Sequence, residues 1–203
     1  MTEKRDATVR AARRIFGRDG YARASIDAIA IEAGVSTRTL YKHFSSKESL
    51  FAFVLETSAT EVADGTVERI RSAPVAESAG DVAAELETIA HALVRQAIDY
   101  RDHFAMVRQI NAESTHFPAA MLRTWQKAGP LRVESAVAER LAGLAERGLI
   151  VVPDLERATL HFVTLTTAEA NPRGLHQAGH LTAAETDVAV AAGVRTFLFG
   201  YSV

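Results

Sequence analysis

SIDAIAIEAGVSTRTLYKHFSSKESL, running from Ser25 to Leu50, parses into two short helices and the start of a third. The Ser25 hydroxyl can accept from the first free amides of a helix that carries Ile26, Ile29 and Ala30 on one face. That helix is expected to stop at Ala33-Gly34, where glycine tolerates the left-handed backbone of a C-cap. Val35 fills the turn, and Ser36 caps a second helix, Thr37–His43. Leu40 and Phe44 point it at the core, which leaves Thr37, Arg38, Thr39, Tyr41, Lys42 and His43 facing outward. Two short helices joined through a glycine, the second rich in polar and basic side chains, form a helix-turn-helix. This is a DNA reader.

The charge distribution agrees. A formal net charge of −2, evenly spread, would argue against a nucleic-acid partner. Residues 1–50, however, hold ten Lys/Arg against six Asp/Glu, net +4, while residues 51–203 hold thirteen against nineteen, net −6. The basic end is the helix-turn-helix end, as attraction to phosphate requires. A chain of 203 residues suffices for one core, or for a small domain joined to a larger one. No stretch approaches the roughly 20 apolar residues of a membrane span. Met1 to Gly20 is charged throughout, unlike a secretory signal. Zero cysteines exclude disulfides and thiolate metal sites and fit a reducing, cytoplasmic setting.

The same residues carry a family resemblance. The aromatic after Gly20, Ile29-Ala30, Ala33-Gly34-Val35-Ser36, Leu40-Tyr41, Phe44 and Lys47-Glu48 stand at the spacing of the DNA-binding domain of TetR-type transcriptional regulators. The likeness runs from about Val9 to Phe51. Thr8 departs from it, taking a place where the family has an aliphatic residue, and is expected to weaken packing of the first helix slightly. The second half resembles the C-terminal domain of AefR-like members of the family, in Asn111-Ala112-Glu113, His116-Phe117-Pro118, Ala128-Gly129-Pro130 and the ending Phe197-Leu198-Phe199-Gly200-Tyr201. The resemblance implies that the last two long helices form a dimer interface, that the middle helices enclose a ligand pocket, and that Tyr41 and Lys47 contact phosphate.

Upstream of the reader, Thr2–Gly17 reads as a helix with Val9, Ala12 and Phe16 on its buried face. Arg13, Arg14 and Arg18 read as a solvated charge run, while Lys4 and Arg5 stand where an arm could reach the minor groove or phosphates. Downstream, Ser45 or Ser46 caps a helix running to about Arg71, with Leu50, Phe51, Val54, Leu55 and Val62 on one face. At roughly 24 residues, about 36 Å, it is long enough to link two modules. Residues 72–80 form a linker of small residues around Pro74. Beyond it the apolar spacing is helical: Asp81–Tyr100, Asp102–Ser114, a helix opened by Pro118 and interrupted at Gly129-Pro130, and Leu131–Arg147. Asp154 caps a further helix that stops before Asn171-Pro172, and a Thr182/Glu185 capping box opens the last, which Gly200 closes. No stretch alternates with period two long enough for a sheet. The expected fold is all-α: a three-helix DNA-binding domain over residues 1–50, joined by the long helix to a helical effector-binding and dimerisation domain over residues 51–203.

In a helix-turn-helix the second helix lies in the major groove, and side chains near its N-terminus meet base edges. Arg38 is the one long side chain there whose fork can take both acceptors of a guanine. Thr37 and Thr39 can offer a hydroxyl to a base or phosphate and a methyl to thymine. Tyr41, Lys42, His43 and Lys47 lie further along as phosphate contacts. Ser25, at its cap, faces a phosphate with its amide end, and Ser36, cap of the reading helix, belongs to the same DNA-binding set.

In the distal half, Phe104, Val107, Ile110, Phe117, Leu122, Trp125 and Phe162 are candidate pocket walls, with Asn111, His116 or Thr166 as polar anchors; for each, core is the commoner role. His176 and His180 stand four apart, but Pro172, Gly174 and Gly179 argue for a connector rather than a metal-binding helix. No nucleophile elbow, phosphate loop or HExxH occurs, so no catalytic site, cofactor or metal is expected. Asp154–Ala170 and Ala183–Phe199 are the expected dimer helices, because Leu160, Val163, Val188, Leu198 and Phe199 supply more apolar area than a small domain hides alone. The expectation is a homodimeric, ligand-responsive regulator, a repressor released from a palindromic operator by a small apolar or amphipathic molecule. The alternative is a DNA-binding architectural protein with a solid second domain and no small-molecule signal.

Overall fold

Around Gly34 the chain folds as its caps dictate. The structure, a computed structural model, describes residues 3–112, 117–170 and 181–201. Helix α1 covers Glu3–Arg23, and α2 (Ile26–Glu32) starts at Ser25, whose hydroxyl accepts from the Ala28 amide. Gly34 takes φ of +66°, and the Gly34 and Val35 amides return to the carbonyls of Ile31 and Ala30. Helix α3 (Thr37–His43) starts at Ser36, which accepts from the Thr39 amide at 3.1 Å.

Two helix ends differ from expectation, and each has a packing reason. Gly17 does not end α1. It stays helical and buried because α6 (Arg101–Ala112) runs against it: a Cβ there would sit 3.0 Å from Ala105 Cβ and 3.2 Å from the Asp102 carbonyl oxygen. The break comes at Gly20, with φ of 77°. Gly200 likewise lies inside α10 (Ala183–Tyr201), which is carried on to Tyr201, whose carbonyl accepts from the Val151 amide at 2.9 Å. The cap of α4 (Lys47–Arg71) is Ser46: the Ser49 amide donates to Ser46 Oγ and the Ser46 amide to Ser49 Oγ, both at 3.0 Å. Thr8, the departure from the family pattern, is wholly buried, with its hydroxyl donated to the Lys4 carbonyl at 2.8 Å. Its methyl packs and its polar atom is satisfied, so the exchange leaves no orphan in the core.

The chain divides into two compact units, Met1–Ala63 with Tyr100–Pro130, and Asp64–Asp99 with Leu131–Val203. In the first, α1 to α3 and the start of α4 share one apolar cluster with α6 and α7 (Ala119–Ala128). Phe51 is its centre, stacked on Phe117 at 5.1 Å and meeting the edge of Phe16 at 4.9 Å. Packing thus groups α6 and α7 with the reader, although they lie far beyond residue 50 in the chain. The second unit holds the end of α4 with α5 (Val82–Asp99), α8 (Pro130–Glu146), α9 (Leu155–Thr167) and α10. Here α9 and α10 cross at Gly193, where a Cβ would overlap the Leu165 carbonyl, and Phe162 meets the edge of Phe197 at 5.3 Å. An ion pair not foreseen from the sequence fixes the linker after α4. Buried Glu85 accepts from Arg140 Nε at 2.9 Å and from the Ala76 amide at 2.6 Å, and Arg140 also donates to the carbonyls of Ile70, Arg71, Ala73 and Pro74. Asp154 and the Thr182/Glu185 box cap α9 and α10 as expected. Glu113, Ser114, His116, Asn171-Pro172, His176 and His180 lie outside the described residues.

One buried group makes stability depend on pH. His103 of α6 is 5% exposed, with Nδ1 at 2.9 Å from Ser58 Oγ on α4. Burial, with the Arg13 charge adding to it, depresses its pKa from 6.5 to about 4. Below pH 6.5 the unfolded chain takes a proton that the folded chain refuses, so stability is full above that pH and falls as pH drops toward 4. The loss is expected to total about 3 kcal/mol, from roughly 1.4 kcal/mol per unit of depression. Urea unfolding between pH 6.5 and 5, where carboxylates stay ionised, should show this slope, and His103→Gln should flatten it. An equal slope in both proteins would refute the assignment.

Candidate nucleic-acid interface

The side chains of α3 divide as a reading helix requires. Leu40 and Phe44 are buried, while Arg38, Lys42 and His43 are exposed and Tyr41 is 49% exposed. The threonines have internal partners: Thr37 Oγ1 donates to Asp27 Oδ1 at 3.1 Å, and Thr39 Oγ1 lies 2.9 Å from Ser36 Oγ. The first bond ties α3 to α2, the second lies within the cap of α3, and both orient the hydroxyls. Lys47 ties the start of α4 to α1, donating to the Ala22 carbonyl at 3.1 Å with its ammonium 4.8 Å from the Tyr21 ring centre. Burial raises the pKa of that Tyr21 phenol, and the Glu48 charge adds to the effect. Ser25 and Ser36 stand exposed at their caps.

Among the arginines of α1, three are paired with carboxylates: Arg13 with Glu61 at 2.9 Å, Arg14 with Glu32 at 2.6 Å and Arg18 with Asp19 at 2.8 Å. Arg5 stands over two rings, 4.5 Å from the centre of Phe53 and 5.7 Å from that of Phe44. It borders an open groove of about 420 Å³ that also takes in Tyr41, Lys42, His43 and Ser45. No hydrophobic pattern marks that groove, so only the position of Arg5 points to it in the sequence.

Of the ten candidate ligand residues, His116 lies outside the described residues and the other nine fall into both units. Ile110 and Phe117 are buried in the first, Leu122 and Trp125 are partly buried against the same cluster, Phe104 and Val107 are partly buried, and Asn111 is exposed. Trp125 Nε1 is buried and finds no acceptor among the described residues. Phe162 and Thr166 belong to the second unit, both buried, with the Thr166 hydroxyl donated to the Phe162 carbonyl at 2.7 Å.

With that geometry in place, comparison with known proteins is decisive. The model for bacterial regulatory proteins of the tetR family matches residues 9–54, and that for the C-terminal domain of AefR-like transcriptional repressors matches residues 84–203. The chain belongs to the TetR family. It is therefore a helix-turn-helix transcriptional regulator. UidR of Escherichia coli (strain K12), an HTH-type transcriptional regulator, is 33% identical over 157 residues, 76% of this chain and 72% of UidR. The HTH-type transcriptional activator FasR of Mycolicibacterium smegmatis is 39% identical over 70 residues, 34% of this chain and only 32% of FasR. Among solved structures, a chain assigned to the TetR family from Mesorhizobium loti MAFF303099 superposes with a TM-score of 0.83 at 28% identity, covering 98% of this chain and 97% of that one. The flavonoid-responsive regulator FrrA gives a TM-score of 0.71, also at 28% identity, over 98% and 97%. Membership of the TetR family accounts for the surface division of α3. No helix among the described residues is long and apolar enough to cross a membrane.

Proposed function

We propose that this TetR-family regulator is a homodimeric, non-enzymatic, cytoplasmic repressor that leaves a pseudo-palindromic operator when a small aromatic molecule binds. The observation that carries the DNA side is the outward face of α3, with Arg38 exposed in its first turn while Leu40 and Phe44 anchor the opposite face. Arg38 reads a base; Tyr41, Lys42, His43, Lys47 and the capped ends at Ser25 and Ser36 hold phosphates; Thr37 and Thr39 support both. Exposed apolar side chains on the last two helices support a dimer: Leu160 is 64%, Val188 69% and Phe199 93% exposed. The match to a repressor C-terminal domain supports the sign of regulation.

Two observations support the effector class. FrrA, of similar fold and 28% identity, is flavonoid-responsive. The Trp125 indole N–H is buried without an acceptor among the described residues, a state that costs roughly 1–3 kcal/mol and that a ligand carbonyl or ether oxygen would relieve. Phe104, Ile110 and Trp125 are the proposed walls. A ligand there acts only if it favours one position of α4 over another, and α4 begins beside the reader at Lys47.

Trp125 is the one tryptophan of the chain, so its fluorescence reports on the site directly. Flavone, which carries a carbonyl and no hydroxyl, is a suitable probe. Saturable quenching is expected, with operator DNA weakening flavone binding by the same factor that flavone weakens operator binding. Equal flavone affinity with and without operator would rule the release mechanism out. No saturable change across acceptor-bearing aromatics would favour the architectural alternative.

A further inference from the structure

The end of α4 is held by a single side chain from another helix. Arg140 of α8 engages all its guanidinium nitrogens there. Nη1 donates to the carbonyls of Ile70 and Arg71 at 3.3 Å and of Ala73 at 3.1 Å, and Nη2 to those of Ala73 at 3.1 Å and Pro74 at 2.7 Å. Nε donates to one oxygen of Glu85, whose side chain is 1% exposed and whose other oxygen accepts from the Ala76 amide. A positive charge among the free carbonyls of a helix C-terminus is favourably placed. Two more pairs join the same helices, Arg132 with Asp64 at 2.6 Å and Arg71 with Glu139 at 3.5 Å, but both are exposed and hold little on their own. A buried ion pair is seldom the most stabilising way to fill such a space, since apolar side chains of similar volume do as well. What an apolar pair lacks is direction. The N–H donors of arginine lie in one plane, so meeting these carbonyls and a carboxylate together fixes the angle at which α4 ends.

We infer that Arg140 is a positioning residue for operator recognition: by pinning the far end of α4 it sets the spacing of the two readers in the dimer, without touching DNA itself. The step rests on the homodimeric reading above. Helix α4 runs from Lys47, which bonds to α1 of the reader, to Arg71. Its first part belongs to the first compact unit, and the part after Ala63 to the second, with α9 and α10. Those two helices carry the proposed dimer face, so α4 is one of the connections between each reader and the two-fold partner. Gly65, the poorest helix former in α4, stands just past that division, so the turns beyond it need holding from outside. With its last turns free to shift, α4 would let each reader drift, and only dimers that happened to hold the operator spacing would bind. The Arg140 clamp removes that freedom.

The chain has no cysteine, so Ile31→Cys, at a side chain 80% exposed on α2, takes a single spin label per protomer. Pulsed dipolar spectroscopy on the labelled dimer then reads the distance between readers. The labelled chain, otherwise unchanged, is expected to give one narrow distribution. Glu85→Gln with Arg140→Met removes both buried charges together and leaves an amide oxygen for Ala76, so no lone charge is stranded. This double variant should dimerise and give a broadened distribution that operator DNA narrows again. Operator affinity should fall by the fraction of dimers at the bound spacing, about tenfold if one in ten holds it. Arg140→Lys keeps a charge beside Glu85 but not the planar fork, and should broaden the distribution as well; it decides alone where the double variant does not fold. A merely structural pair would lower the urea midpoint and leave the distances as they were. Parental widths in the dimeric variants therefore overturn the inference, whatever their stability. Operator affinity unchanged despite a broadened distribution overturns it too, since spacing would then not limit binding. No dipolar coupling in the labelled parent would instead sink the dimer reading, and the inference with it.

Discussion

Val188→Asp is expected to give monomers in light scattering and to lower operator affinity by a factor of about 100 to 10,000. Val188 is 69% exposed on α10, while its neighbours Ala189 and Val190 are buried, so the change should leave the fold of the protomer intact. Phe199, about three turns along the same helix, is 93% exposed, and Leu160 on α9 is 64% exposed. Single exposed apolar residues are ordinary, but a set on the last two helices marks a surface that association covers. In a two-fold contact each substitution enters twice, so one charge per chain places two carboxylates in one apolar interface. The predicted affinity loss is larger than any single contact because the two readers act through linkage: once one is seated, the second binds as if at high local concentration. Circular dichroism should be unchanged. A monomeric variant that still bound the operator as tightly would show the dimer to be incidental to DNA binding.

Arg38→Ala is expected to relax base preference at one position in each half-site. A bidentate arginine–guanine contact discriminates by roughly 1–3 kcal/mol, and two readers double it to about 2–6 kcal/mol for the whole site. The effect should be confined to that position because the rest of α3 is held independently, by Leu40 in the core and by Thr37 on Asp27. The measurement is the set of sequences selected by variant and parent. An unchanged set with weaker overall binding would move Arg38 to the phosphate group and leave base reading to Thr37 and Thr39.

What could be read from the sequence, and what could not, follows the range of the interactions. The caps at Ser25, Ser36, Asp154 and Thr182 were legible because each is decided within three or four residues, by a side chain and the amides beside it. The glycines were less so. Gly34 is required by its own backbone, with φ of +66°, but Gly17 is required by α6, which is distant in sequence, and nothing local tells the two kinds apart. Nothing local marks Glu85 as buried; the partners that make its burial tolerable are Arg140 of α8 and the Ala76 amide, both outside its own helix. The surface of α3 was legible from its period, whereas the internal partners of Thr37 and Lys47 depend on how α2 and α1 pack. The groove beside Arg5 is assembled from three helices and could not be seen until they were placed.

Selection of bound duplexes from random DNA by the protein decides whether the outward face of α3 reads sequence. One enriched motif is expected, made of two inverted half-sites whose centres lie about 34–36 Å apart or a multiple of that, with a guanine preference in each half that disappears in Arg38→Ala. Enrichment of no motif, with binding that follows only length and salt, would contradict that expectation.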